Sequence, residues 1–210
     1  MKRGVDGTLL WLILSLVCLH GVGCGPMPGE KKMIDVKAQY LGLADQRVAV
    51  MTSADPHLLH QYPKAPLLIN QAITSRIAKN VPGVTTTIPD EIDAFQKENP
   101  YWMNMRYGEL AEKLGVDRVV LIDLIEYQTH EPGNAYIWQG LVTANIGVID
   151  ADARDPDNFV FQNTVEARFP EKSDVGLIDS DNDSIQLGLI FLFSQRGGGL
   201  FYDHQVEADK

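Results

Sequence analysis

Gly115-Val116-Asp117-Arg118-Val119-Val120-Leu121-Ile122-Asp123-Leu124-Ile125-Glu126-Tyr127 is the stretch whose reading decides the fold. A glycine suited to stopping a helix leads into four aliphatic residues, Val119 to Ile122. A short continuous apolar run behind a helix predicts a strand covered on both faces, as in a parallel or mixed sheet. Asp123 interrupts that run. A carboxylate there has to be paired, hydrogen-bonded or at the open carboxyl end of the strand, where sites in α/β sheets lie. Structural pairing is the reading preferred over catalysis, and Glu126 is expected on the opposite pleat face.

The covers for this strand lie upstream. Arg47 to Thr52 is short and β-branched, a first buried strand, and Ser53-Ala54-Asp55-Pro56-His57 is a turn-like exit. Pro66 suits the first turn of a helix, after which Ile69, Ala72, Ile73 and Ile77 recur at helical spacing, closed by Pro82-Gly83. Val84 to Ile88 reads as a second strand near an edge. Pro89-Asp90 opens a short helix with Ile88, Ile92 and Phe95 on one side. Tyr107, Leu110, Ala111 and Leu114 then form the helix that Gly115 ends in the left-handed conformation. The order β-α-β-α-α-β predicts parallel pairs in the sheet.

Downstream the pattern changes. Ala135 to Asp150 is a long strand candidate with Tyr136, Trp138, Val142, Ile146 and Val148 on one side. Asn158 to Phe169 alternates, with Phe159, Phe161, Val165, Ala167 and Phe169 inward and Gln162, Thr164, Glu166 and Arg168 outward. The acidic loop Asp150 to Asp157 joins the two as an antiparallel hairpin. Asp183 or Ser184 caps a C-terminal helix through Ile185 to Phe193, a segment that also alternates like a strand, and Gly197-Gly198-Gly199 loosens the chain behind it. The expected fold class is α/β: a single domain with a mixed sheet, β-α-β-α-α-β followed by the hairpin and the helix.

The first residues follow a different logic. Lys2 and Arg3 precede an apolar run from Leu9 to Leu19, too short for a comfortable membrane span, and Gly21-Val22-Gly23-Cys24 follows. This is the layout of a signal peptide, and its end resembles a bacterial lipobox, with Gly23 at the small position and Gly21 where Leu is usual. The resemblance implies cleavage before Cys24 and acylation of its thiol. Of the two cysteines, Cys18 then leaves with the signal and no intramolecular disulfide is open to Cys24. The expected organisation is a lipoprotein signal peptide at 1–23, a tether at 24–38 reaching ~25 Å when extended, and an α/β envelope domain at 39–210. Several acyl chains would anchor stably, at about 0.8 kcal/mol per buried methylene. The net charge of −10 excludes binding through a cationic face to nucleic acid or to anionic headgroups, so the lipid itself has to hold the body at the membrane.

Val48-Ala49-Val50 and Leu114-Gly115-Val116-Asp117-Arg118-Val119-Val120-Leu121 also carry a resemblance at the level of pattern, over residues 46–169. They resemble the amino-terminal domain of the Tol-Pal system's propeller protein, the curli-secretion lipoprotein and the lipoprotein activators of penicillin-binding proteins. What this implies is an α/β domain that binds other envelope proteins without catalysis. No propeller follows here, and the paired long hairpins of a curli-type pore are missing.

Motifs for chemistry are sparse. His57 and His60 have helical metal-pair spacing but no third ligand nearby, so a surface pair is preferred. Asp179-Ser180-Asp181-Asn182-Asp183 matches the start of a calcium loop, then has Ser184 at the glycine position and Ile190 where a bidentate glutamate belongs. Helix capping is the simpler role. No nucleophile elbow and no phosphate loop occurs. The reading is therefore a lipid-anchored protein of the bacterial cell envelope, its body outside the cytoplasm, acting as a non-catalytic interaction or assembly module with no cofactor and no metal. Cys24 is its lipidation site. Its partner is another envelope protein, met at a sheet edge or at aromatics around Tyr101, Trp102 and Trp138. The alternatives are an oligomeric pore or secretion-channel component built on the 135–169 hairpin, and an extracytoplasmic hydrolase using Asp123. Partner identity, membrane and oligomeric state stay open.

Overall fold

The structure is a computed structural model that describes residues 32–131, 133–134, 136–171 and 177–208. The signal peptide, Cys24 and most of the tether lie outside the described residues, as does Ala135. The chain divides into two units, residues 35–204 and residues 1–34 with 205–210. In the smaller unit Ala208 N donates to Lys32 O at 2.8 Å. β1 (Met33–Val36), which lies within the stretch assigned to the tether, and β7 (His204–Glu207) make a two-stranded sheet.

The larger unit is built on β2 (Arg47–Ala54), β3 (Thr85–Thr86), β4 (Arg118–Gln128), β5 (Gly140–Asp150) and β6 (Phe159–Phe169), in spatial order β3-β2-β4-β5-β6. β2 pairs in parallel with both β3 and β4, and the remaining pairs are antiparallel. This is the mixed sheet expected from the alternation of elements, with β3 at an edge. β3 stops after two residues because Pro89 soon begins a helix and has no amide proton for a ladder. Gly115 has φ 64° and ends its helix as anticipated, its amide reaching Glu112 O at 3.0 Å.

The helices are α1 (Pro56–Gln61), α2 (Ala65–Asn80), α3 (Pro89–Glu98), α4 (Tyr107–Leu114) and α5 (Asn182–Gly198), with 3₁₀ turns at Trp102–Asn104 and Gly199–Phe201. α2 and α5 cover one face of the sheet. Ile69, Ile73 and Ile77 from α2 and Leu189, Ile190 and Phe193 from α5 join Val48, Val50, Val120, Ile122, Val142 and Ile146 in one core. Each such side chain contributes about 1.5–3 kcal/mol when taken from water. A smaller core on the opposite face joins Ile92, Trp102, Leu110 and Ala111 to Ala49, Met51, Val119 and Ile149. Val119 to Ile122 is therefore covered on both sides, as the apolar run requires.

Several local expectations are corrected. Asp55 is an N-cap, accepting from Leu58 N at 2.8 Å, and the exit after β2 becomes helix α1 with Pro56 in its first turn. Ile88 is 58% exposed at the N-cap of α3 and does not join Ile92 and Phe95. β5 begins at Gly140, five residues later than the pattern suggests, because its neighbours run out there: Leu141 pairs with Gln128 at the end of β4 and Gly140 with Phe169 at the end of β6. Trp138 bridges to Leu177 instead, and Tyr136 is 82% exposed. A bulge between Val148 and Ile149 separates the faces taken by Phe159 and Phe161: Phe161 stacks with Tyr40, Phe159 with Tyr107 across the sheet. Ile185 to Phe193 is helix, which settles the ambiguity of its period. The three glycines after it are buried rather than loosening. A Cβ on Gly197 would sit 2.9 Å from Ile146 Cδ1 and 3.0 Å from Ile73 Cδ1, so the missing side chain is what lets the end of α5 approach the sheet and α2.

Candidate functional site

The two faces of the sheet differ in how far their covers extend. α2 and α5 have 16 and 17 residues, or roughly 24–26 Å of helix, whereas α4 has 8 and spans about 12 Å. β4, with 11 residues, runs about 36 Å. The short helix and the 3₁₀ turn at Trp102–Asn104 close the second face only over the amino-terminal half of β4. From Asp123 onward that face is open, with Asp123, Ile125 and Glu126 all exposed. Ile125 is the extra residue of a bulge between Leu124 and Glu126. The bulge resets the alternation, so Glu126, paired with Thr143, lies on the same face as Asp123, paired with Asn145. This corrects the expectation of opposite faces.

Register then lines up a polar row across four strands: Ser53 with Asp123, Asp123 with Asn145, Asn145 with Thr164. Ser53 Oγ donates to Asp123 Oδ1 at 2.8 Å, and Thr164 Oγ1 donates to Asn145 Oδ1 at 2.7 Å. Asp123 is thus both hydrogen-bonded and at the open carboxyl half of its strand. Beneath the row, Leu121, Gly147 and Gln162 join Tyr107, Leu110, Phe159 and the turn residues Trp102 and Met103 around a depression of about 240 Å³. A second depression of about 370 Å³ lies beyond the end of β2, between α2 and α3, and shares Ser53, Trp102 and Met103 with the first. Its polar walls are mostly engaged. Asn70 Nδ2 donates to Val50 O, Gln96 Nε2 donates to Thr52 O at 3.1 Å, and Lys97 pairs with Asp93. Thr52 Oγ1 is buried with no hydrogen-bond partner.

Both depressions reach the carboxyl end of β2, and the first also takes in Leu121 and Asp123 from the middle of β4. The chain leaves β2 toward β3 on one side and leaves β4 toward β5 on the other, and ligands of open α/β sheets bind at such a divergence. Chemically the first depression offers one carboxylate, a hydroxyl bonded to it, two carboxamides and an apolar wall.

A carboxylate held well below its ordinary value lies elsewhere. Arg47 donates to Asp117 from both guanidinium and backbone, and these bonds hold Asp117 down to about 2. This pair belongs to an ionic band at the other end of the sheet, where Arg118 meets Asp150 at 2.7 Å and Arg106 meets Asp157 at 3.9 Å, tying down the acidic loop.

Of the residues singled out from sequence, Trp102 is 7% exposed and packs into the smaller core, Tyr101 beside it is 78% exposed, and Trp138 takes its contacts from His130 and Leu177. They are not gathered on one aromatic face. His57 and His60 are exposed on α1, and among the described residues no group of three or more His, Cys, Asp or Glu is placed to hold a metal ion. Asp181, within the calcium-like run, caps α5 by accepting from Ser184 N at 2.8 Å. Asn145, Gln162 and Met103 were not identified from sequence. Their signal was only a polar or small residue at an outward strand position and a methionine in a loop. No described helix is long and apolar enough to cross a membrane.

No family model matches the chain, and no curated protein does. Solved structures do resemble it. A PelC dodecamer from Paraburkholderia phytofirmans is 12% identical over 82% of this chain and 99% of that one, with a TM-score of 0.48. Lipoprotein GNA1162 from Neisseria meningitidis is 13% identical over 67% and 90%, with a TM-score of 0.46. A DUF330 protein, XCC0632 from Xanthomonas campestris, is 13% identical over 81% and 83%, with a TM-score of 0.34. None of these likenesses reaches the level at which a family or an activity passes from one chain to another.

Proposed function

We propose that this chain is a lipid-anchored cell-envelope protein whose α/β body serves, outside the cytoplasm, as a non-catalytic interaction or assembly module. The observation that carries the reading is the half-covered sheet. The depression at its open edge presents hydrogen-bonding groups and apolar side chains around Asp123, with no imidazole, second acid or cysteine among the residues lining it. That is the composition of a recognition surface. The run into Gly23-Cys24 supports the anchor, and the acidic balance leaves acyl chains as the means of holding the body at a membrane. The pattern shared with the Tol-Pal propeller protein's amino-terminal domain and the two lipoprotein groups agrees with a binding role. The hairpin reading gains no support, since Val142, Ala144, Ile146 and Val148 of β5 are spent on the body's own core.

Two experiments test it. Metabolic labelling with a fatty-acid probe should mark the wild type and not Cys24→Ala; equal labelling removes the anchor. Crosslinking in membranes followed by mass spectrometry should return one stoichiometric envelope protein. An Asp123→Asn protein of unchanged stability that loses a measurable turnover would replace the module with a hydrolase.

A further inference from the structure

We propose that the depression floored by Asp123 is where the partner docks, and that the partner supplies an extended segment carrying a basic side chain beside an apolar one. The inference rests on the interaction-module reading. Asp123 is exposed, accepts from Ser53 Oγ at 2.8 Å, and has no cation partner among the described residues. Several other carboxylates of the unit are matched within the fold: Asp93 by Lys97, Asp117 by Arg47, Asp150 by Arg118, Asp157 by Arg106, Glu171 by Arg196. A carboxylate set into an apolar-walled recess and left without its counter-charge attracts a cation and repels acidic partners, the more so in a chain of net charge −10.

The surroundings favour a peptide. Met103 is 59% exposed at the junction of the two depressions. An unbranched, polarisable side chain at such a rim adapts to varied side chains. Recesses of about 240 and 370 Å³ that meet at Ser53 suit two same-side residues of an extended segment, which recur about 7 Å apart.

The test uses the full chain purified in detergent and three end-capped, fluorescent hexapeptides alternating Leu with Lys, Gln or Glu, read by anisotropy. The Leu–Lys peptide should bind at least about tenfold more tightly than Leu–Glu. Asp123→Asn, which keeps the acceptor for Ser53, should remove most of that preference. Asp179→Asn, an equal charge change at another exposed site, should leave it. Met103→Ser should weaken the Lys and Gln peptides alike. Equal binding of all three peptides, equal losses in the two Asp variants, or preferential binding of a neutral hexasaccharide overturns the proposal. If crosslinking in membranes yields a partner whose capture Asp123→Asn does not alter, docking lies elsewhere and the module reading survives. Cleavage of a peptide that Asp123→Asn abolishes removes the module reading too.

Discussion

Gly147 and Asp117 show how much single positions decide. A Cβ on Gly147 would lie 2.5 Å from Phe159 Cε1, a ring already held against Tyr107 with centroids 4.7 Å apart. Gly147→Val is therefore expected to cost about 1–3 kcal/mol in urea unfolding, through a displaced ring rather than through backbone strain. Asp117 titrates at about 2 in the folded chain against an ordinary 3.8, mainly because Arg47 donates to it. A depressed folded value means that its contribution is complete above pH 3.8 and is lost as pH falls toward 2. Thermal melts between pH 6 and 2 should show a shallower acid loss for Asp117→Asn than for the wild type. Equal slopes would mean that the pair contributes nothing at this exposed site.

At the scale of elements, α5 carries the most testable consequence. Its sequence is apolar on nearly every side, yet Leu189 and Phe193 are fully buried whereas Leu187 and Phe191 are 70% and 59% exposed. Phe193→Ala should cost about 3–5 kcal/mol and Leu187→Gln less than about 0.5 kcal/mol, measured by chemical denaturation. A reversed order would mean that the helix is rotated. Its N-cap is a second handle: Asp181→Ala should cost about 0.5–2 kcal/mol by the same measurement, since the side chain satisfies Ser184 N. The sequence showed that a cap lies near this point and named Asp183 or Ser184. The structure moves it to Asp181, because only a residue with extended backbone before the first turn can turn its oxygen back onto the free amides.

For the molecule as a whole, the liability is the edge at β6, an 11-residue strand with no strand beyond it in the sheet among the described residues. Arg196 from α5 reaches over it, donating to Glu166 O at 2.8 Å and pairing with Glu171. A charged side chain on an edge carbonyl blocks pairing with another chain. Arg196→Ala should therefore self-associate at lower concentration than the wild type in analytical ultracentrifugation. An unchanged monomer–oligomer balance would show that the edge is guarded by other means.

Much of this body was legible in the chain itself. Gly115 as a helix stop, Val119 to Ile122 as a doubly covered strand, the parallel pairs and the alternating hairpin all follow from local rules of spacing and backbone sterics, which hold wherever the segment lies. The exact face of Phe159, the start of β5 and the side taken by Glu126 were not legible, because bulges and the ends of neighbouring strands set them, and those depend on partners distant in sequence. The candidate site shows the same division. Asp123 stood out as a charge inside an apolar run, but Ser53, Asn145 and Gln162 are ordinary residues until register brings them beside it. Sequence determined most of the long helices and strands and what each could bury, because spacing and backbone sterics act locally; the tertiary structure alone decided where the covering helices stop short, since that depends on the lengths of elements laid against one another.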